Sequence, residues 1–181
     1  EELDYDRVGC DVHRRANELM RTETICLVKG ELQPIQPGDE NVLFMGSYSY
    51  RTDLASSSVN QDISFAQYMG EHYNVAYEII DIDPDEEQVS AALLKAQGRQ
   101  HVVIGLFNAR ENQGQLALVR KLLESGCKVT AIALGRPYDL AIIEGEYCGI
   151  AAMEYTVDAF KSIIPILSGE IAPTGRITIQ L

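Results

Sequence analysis

The chain has 181 residues and a formal net charge of −12. That length suits one domain with a short extra arm, large enough to bury a core without disulfides or metals. A field so negative repels phosphate backbones, which argues against a nucleic-acid partner. No apolar run approaches the roughly 20 residues that span a bilayer, so no membrane partner is expected either.

In chain order, residues 1–10 are polar and carry no clear period, and Asp11 to Glu23 reads as a helix. The β-branched run Thr24 to Lys29 reads as a strand, and Pro34 with Pro37-Gly38-Asp39 breaks the chain. Asn41 to Met45 is a short continuous apolar run, the pattern of a strand buried on both faces. Asp62 to His72 reads as a helix and Val75 to Ile80 as a strand. Pro84 and Asp85 open a helix through Gln97, with acids in its first turn. Then come a strand from His101 to Phe107, a helix from Gln113 to Ser125 stopped by Gly126, and a strand from Cys127 to Leu134. A short strand spans Tyr147 to Ala152, and Thr156 caps a helix to Leu167 that Gly169 ends. Arg176 to Leu181 reads as a closing strand.

Strand and helix alternating along the chain predicts an α/β fold: an open doubly wound, mainly parallel sheet with helices on both faces, a flavodoxin- or Rossmann-like sandwich. In such sheets the functional crevice lies at the carboxyl ends of the strands. The loops at 46–61, 81–85, 107–113, 135–140 and 152–156 are therefore the ones to test for chemistry.

Most motifs with a known mechanism are absent. There is no G-x-G-x-x-G, no G-x-x-x-x-G-K-[ST] and no G-x-S-x-G elbow, which argues against dinucleotide binding and against a hydrolase of the elbow type. Gly46-Ser47-Tyr48-Ser49-Tyr50 with Ser56-Ser57-Ser58 offers hydroxyls that could cradle a phosphate, or simply a polar loop. His13, His72 and His101 are far apart, and His101 reads as a packing or hydrogen-bonding residue. No cofactor and no metal site is expected. The acidic run Asp81 to Glu87 lacks calcium-loop spacing and reads as a solvated helix start. Cys10, Cys26, Cys127 and Cys148 form no C-x-x-C pair; they read as free thiols, mostly buried, which suits a reducing, cytoplasmic compartment. The opening Glu1-Glu2-Leu3-Asp4 does not read as a secretory leader.

The densest polar stretch is Asn108-Ala109-Arg110-Glu111-Asn112-Gln113-Gly114-Gln115, on the crevice side of a buried strand. Glu111 beside Arg110 is a candidate for proton transfer. The competing account is helix capping, with Asn112 as the cap and acids favouring a helix start.

Read together, these residues resemble a known family. Glu23 to Lys29 is similar to an S-I-T-L-L-K-N strand, and Leu32-Gln33-Pro34-Ile35 to L-L-P-L. Gly135-Arg136-Pro137-Tyr138-Asp139-Leu140 stands for R-N-P-Y-D-L, and Tyr155-Thr156 and Gly169-Glu170 through Pro173-Thr174-Gly175-Arg176 follow in order. The chain in this respect resembles the C-terminal α/β domain of glycoside hydrolase family 3, in the β-N-acetylhexosaminidase-like branch. Ser168 stands where that family has Phe, and residues 175–179 lack the proline of G-K-L-P-V.

The resemblance implies a division at residue 22: 1–22 as an interdomain linker and helix, 23–181 as the domain proper. It implies a retaining glycosidase whose (β/α)8 barrel, preceding residue 1, carries the nucleophilic Asp, with the carbohydrate substrate at the domain interface. In the hexosaminidase branch the acid/base is an Asp–His pair on the barrel. In the glucosidase branch it is a Glu on the C-terminal domain, and Glu111 falls near that position. Alone, the chain would be inactive, with its barrel-facing surface bare. The alternative is a free-standing flavodoxin-like module binding a phosphate or nucleotide through Gly46–Ser58.

Overall fold

The computed structural model describes residues 9–50 and 59–178. Helix α1 (Asp11–Thr24) leads into strand β1 (Cys26–Lys29), then β2 (Val42–Gly46), β3 (Tyr48–Tyr50) and β4 (Val59–Ser64). Helix α2 (Phe65–Tyr73), β5 (Ala76–Ile79), α3 (Glu86–Ala96), β6 (His101–Leu106) and α4 (Gln113–Glu124) follow. The chain continues through β7 (Lys128–Ala133), α5 (Tyr138–Ala141), β8 (Cys148–Ala151) and α6 (Val157–Leu167).

Among the described residues, six strands form one sheet in the order β1-β8-β7-β6-β2-β5, and β3 and β4 form a separate antiparallel ribbon. Every pair in the large sheet is parallel except β1 with β8, which is antiparallel. The parallel strands, counted along the chain, lie in the order 2-1-3-4-5, that of flavodoxin-like folds, with the switch point between β2 and β6. The expected mainly parallel doubly wound sheet is what forms.

Alternation along the strands supplies two cores. Leu43, Met45, Val102, Ile104, Leu106, Ala131 and Ala133 face α3 and α4, with Val89, Ala92, Leu118 and Leu122 opposite them. Phe44, Val103, Ile132, Leu134 and Ile150 face α2 and α6, against Phe65, Met69, Phe160 and Ile163. This period of two is why the strands read as continuous apolar runs: both faces are covered.

Local chemistry fixes the helix ends. Asp85 and Gln88 form a reciprocal capping box at α3, and the Thr156 hydroxyl accepts the Ala159 amide 3.2 Å away at α6. Gly126 and Gly169 leave α4 and α6 at φ of 80° and 75°, a region where a Cβ is strained. Helix α1 packs on α6 and buries none of its own residues. It is tied down instead by Arg21, whose guanidinium donates to both carboxylate oxygens of Glu154, at 2.7 and 3.4 Å.

Two sequence expectations are corrected. Residues 62–64 are strand rather than helix: they end β4, whose Ser64 stands opposite Tyr48 of β3, and Ser64 is the cap of α2, its hydroxyl accepting the Gln67 amide at 3.3 Å. Residues 176–178 are not in a strand. Gly175 donates its amide to Ile25 at 3.0 Å and Ile177 packs on the core, but no ladder follows among the described residues. The remainder of the expected closing strand, 179–181, lies outside the described residues.

Candidate functional site at the carboxyl end of the sheet

The switch point between β2 and β6 is filled. Gly46 and Gly105 sit opposite each other in register, and the Phe65 ring lies over them: a Cβ at Gly105 would stand 2.6 Å from that ring and 2.8 Å from Leu134. Phe65 is wholly buried and meets Phe44 and Phe160 edge-on at ring-centroid distances of 6.1 and 5.4 Å. The Tyr155 hydroxyl donates to the Ser47 carbonyl and accepts the Phe65 amide at 2.9 Å. Burial drives the Tyr155 hydroxyl's pKa well above its ordinary value. Phe107 and Phe160 both pack edge-on against the Tyr155 ring. The Phe65 and Gln67 amides at the start of α2, which a phosphate would use, are therefore already bonded. Ser56–Ser58, the other half of the expected phosphate cradle, lie outside the described residues.

One strand further on, between β6 and β7, the sheet ends differently. Asn108 takes a left-handed conformation, φ 50°, and turns the chain out of β6. The carbonyls this exposes are met by side-chain amides. Asn112 Nδ2 donates to Asn108 at 3.0 Å and Phe107 at 3.4 Å, so Asn112 does not cap α4 with its side chain as the sequence suggested. Gln115, fully buried, accepts the Phe107 amide at 3.0 Å through Oε1. Its Nε2 donates to Ile82 at 2.6 Å and Phe107 at 3.0 Å. The Gly114 amide donates to Asp83 at 2.7 Å, with Pro84 so close that a Cβ on residue 114 would stand 2.0 Å from its carbonyl oxygen. The acidic run thus anchors α4 and caps α3.

Glu111 sits on this turn with its carboxylate about half exposed, and its partner is Arg136, from the turn after β7, rather than the adjacent Arg110. Asp139, in α5, reaches the same turn: its Oδ1 accepts the Arg110 amide at 3.2 Å. Asp139 is fully buried, and its Oδ2 has no hydrogen-bond partner among the described residues. Desolvation raises the Asp139 pKa above the usual carboxylate range, against the amides of Ala109 and Arg110, which lower it. Neither Gln115 nor Asp139 was singled out in the sequence. Gln115 could have been: it shares an apolar stripe with Leu118, Val119 and Leu122, where a lone amide needs a reason.

The remaining sequence candidates lie elsewhere. His101 begins β6, at the opposite end of the sheet, and its Nε2 is 2.9 Å from the Thr130 hydroxyl; burial lowers its pKa. His13 and His72 are exposed on α1 and α2. All four cysteines are free thiols, Cys26 and Cys148 buried. Among the described residues no three His, Cys, Asp or Glu side chains gather as for a metal, and no helix is long and apolar enough to cross a membrane. Tyr138 and Met153 are exposed apolar groups at the carboxyl end, Met153 at a strained φ of 60°. A cleft of about 350 Å3 beside them is lined by Thr24, Pro137, Met153, Gly175 and Ile177.

Fold and site together define an open doubly wound α/β domain whose polar carboxyl-end loops lie beside a sealed switch point. Neither a protein-family model nor a curated protein sequence matches the chain. Solved structures do. A family 3 β-N-acetylglucosaminidase from Paenibacillus sp. str. FPU-7 superposes with a TM-score of 0.77 at 20% identity, over 93% of this chain and 32% of that one. A fungal multi-domain family 3 β-N-acetylglucosaminidase gives 0.70 at 20% identity, over 97% and 20%. A β-glucosidase from Listeria innocua, bound to isofagomine, gives 0.66 at 17% identity, over 91% and 26%. The chain therefore has the fold of one portion of these larger enzymes and spans a third or less of their length.

Proposed function

We propose that this chain is the C-terminal α/β domain of a family 3 glycoside hydrolase, acting on O-glycosidic bonds with retention and inactive without its barrel. In this reading residues 1–22 are the interdomain linker and its helix, and residues 23–181 the domain. The observation that carries it is the likeness just described, nearly complete for this chain and partial for the glycosidases it matches. The carboxyl-end face supports it: Tyr138, Met153 and the cleft beside them offer apolar surface for a neighbouring domain to cover. Left bare, that surface favours self-association.

Retention requires two carboxyl groups about 5–5.5 Å apart across the scissile bond, one as nucleophile and one as acid/base. The barrel supplies the nucleophilic Asp. In the β-glucosidase-type reading Glu111 is the acid/base we assign to this chain, at the carboxyl end, half exposed and oriented by Arg136; in the β-N-acetylhexosaminidase-type reading the Asp–His pair of the barrel takes that role. The acid/base protonates the leaving oxygen and then takes a proton from the attacking water. The sealed switch point weighs against the nucleotide-module alternative.

The test is Glu111→Gln in the protein carrying both domains. Turnover of a glycoside with a poor leaving group falls about 100-fold or more, while one whose leaving group needs no proton loses far less in the glycosylation step. Equal rates for the wild type and Glu111→Gln on both substrates refute the assignment.

A further inference from the structure

We infer that Asp139 is a positioning residue for Glu111: its buried carboxylate holds the backbone of the loop that carries Glu111, so that Arg136, one turn away, clasps the Glu111 side chain. This rests on the reading of Glu111 as acid/base. Two contacts run from one turn to one loop. Asp139 Oδ1 receives the Arg110 amide at 3.2 Å, and Arg136 pairs with Glu111, the next residue. The Asp139 amide in turn donates to the Arg136 carbonyl at 3.1 Å, so the two holding residues form one rigid unit. A second bond stiffens that unit from the other side, where the Tyr147 hydroxyl donates to the Leu140 carbonyl at 2.6 Å.

Scaffolding alone does not call for this group. A fully buried carboxylate with one oxygen unpartnered destabilises the fold relative to a neutral isostere. What the carboxylate gives over an amide is a stronger, charge-assisted grip on a backbone N–H. The charged groups acting on it are Glu111, which disfavours its ionisation, and Arg136, which favours it. The grip therefore depends on pH. It is firm once Asp139 is ionised and slackens as pH falls through a midpoint lying above the ordinary aspartate value of about 3.9.

Backbone amide resonances of Ala109 to Asn112, followed against pH in the isotope-labelled chain, decide it. The Arg110 amide moves with a midpoint above the ordinary one in the wild type. Asp139→Asn abolishes that movement. Glu111→Gln keeps it but lowers its midpoint, since one opposing charge is gone. An Arg110 amide that does not titrate in the wild type, or titrates unchanged in D139N, overturns the inference. If D139N fails to fold, the wild-type curve and the downward shift in E111Q decide alone. In the two-domain protein, D139N lowers kcat about tenfold or more with KM within about twofold, the signature of a misplaced group. Amide behaviour as expected with kcat unchanged upholds the positioning and refutes Glu111 as acid/base. A fall in kcat without the amide effect refutes the positioning.

Discussion

Two neighbouring mouths open at the carboxyl end of this sheet, and they are built on opposite principles. Between β2 and β6, where the strand order reverses and flavodoxin-like folds place their ligands, Phe65 covers two facing glycines and Tyr155 stitches Ser47 to Phe65. Between β6 and β7 the loop is polar: Gln115 and Asn112 satisfy its carbonyls, Asp139 holds its backbone, and Glu111 and Arg136 meet at its surface. The same topology thus offers a site at one place and fills it, while the adjacent strand end keeps charge and exposure. Fold alone does not locate function; the side chains over the strand ends do.

The comparison is broken most easily at the sealed mouth. Phe65→Ala removes a wholly buried ring and is expected to cost about 3–5 kcal/mol in denaturant unfolding; a loss below about 1 kcal/mol means the ring does not seal the switch point. Tyr155→Phe leaves the Phe65 amide without its acceptor and costs about 1–3 kcal/mol. The same variant has a pH signature. Because the Tyr155 pKa is raised in the fold, its contribution is present below the ordinary tyrosine value of about 10 and is lost as pH rises toward the folded value. Wild-type stability therefore declines through alkaline pH, and part of that decline disappears in Y155F.

The polar mouth behaves in the opposite sense. Asp139→Asn is expected to raise Tm at neutral pH by about 2–4 °C, roughly what 1 kcal/mol gives in a domain of this size. The sign follows from linkage. An aspartate whose folded pKa is raised is best tolerated below its unfolded value and loses that advantage as pH rises through the folded value. The gain in D139N should therefore vanish in acid. A lowered Tm at neutral pH contradicts this. Glu111→Gln is the smallest effect, under about 1 kcal/mol by thermal unfolding, since both members of its pair are half exposed. A stability change much beyond that would recast Glu111 as part of the scaffold.

Much of the architecture was legible because the signals are local. The Asp85 start of α3, the Thr156 cap and the Gly126 stop are set by a few adjacent residues. The strands read as apolar runs because both faces are buried. What was not legible depends on partners far along the chain. The antiparallel direction of β1 is fixed only by its pairing with β8. Ile63 shares the apolar spacing of α2, and the pairing of β4 with β3, which sets Ser64 opposite Tyr48, decides against helix. Around Ile177 the chain alternates as a strand does, yet among the described residues from 175 on only Gly175 finds a backbone partner. The candidate site divided the same way. Glu111 stood out in a polar loop, but its partner Arg136 is 25 residues away, and the burial of Asp139 against that loop is set by contacts across 29 residues.

The central claim, that this domain completes a glycosidase it cannot replace, is tested most directly by hydrolysis of an aryl β-N-acetylglucosaminide and an aryl β-glucoside. The chain alone should release no aglycone from either. The same chain joined to its barrel should cleave one of them with retained anomeric configuration. Cleavage by the chain alone, or an inactive joined protein together with tight, saturable binding of a flavin or nucleotide by the chain, would contradict the account.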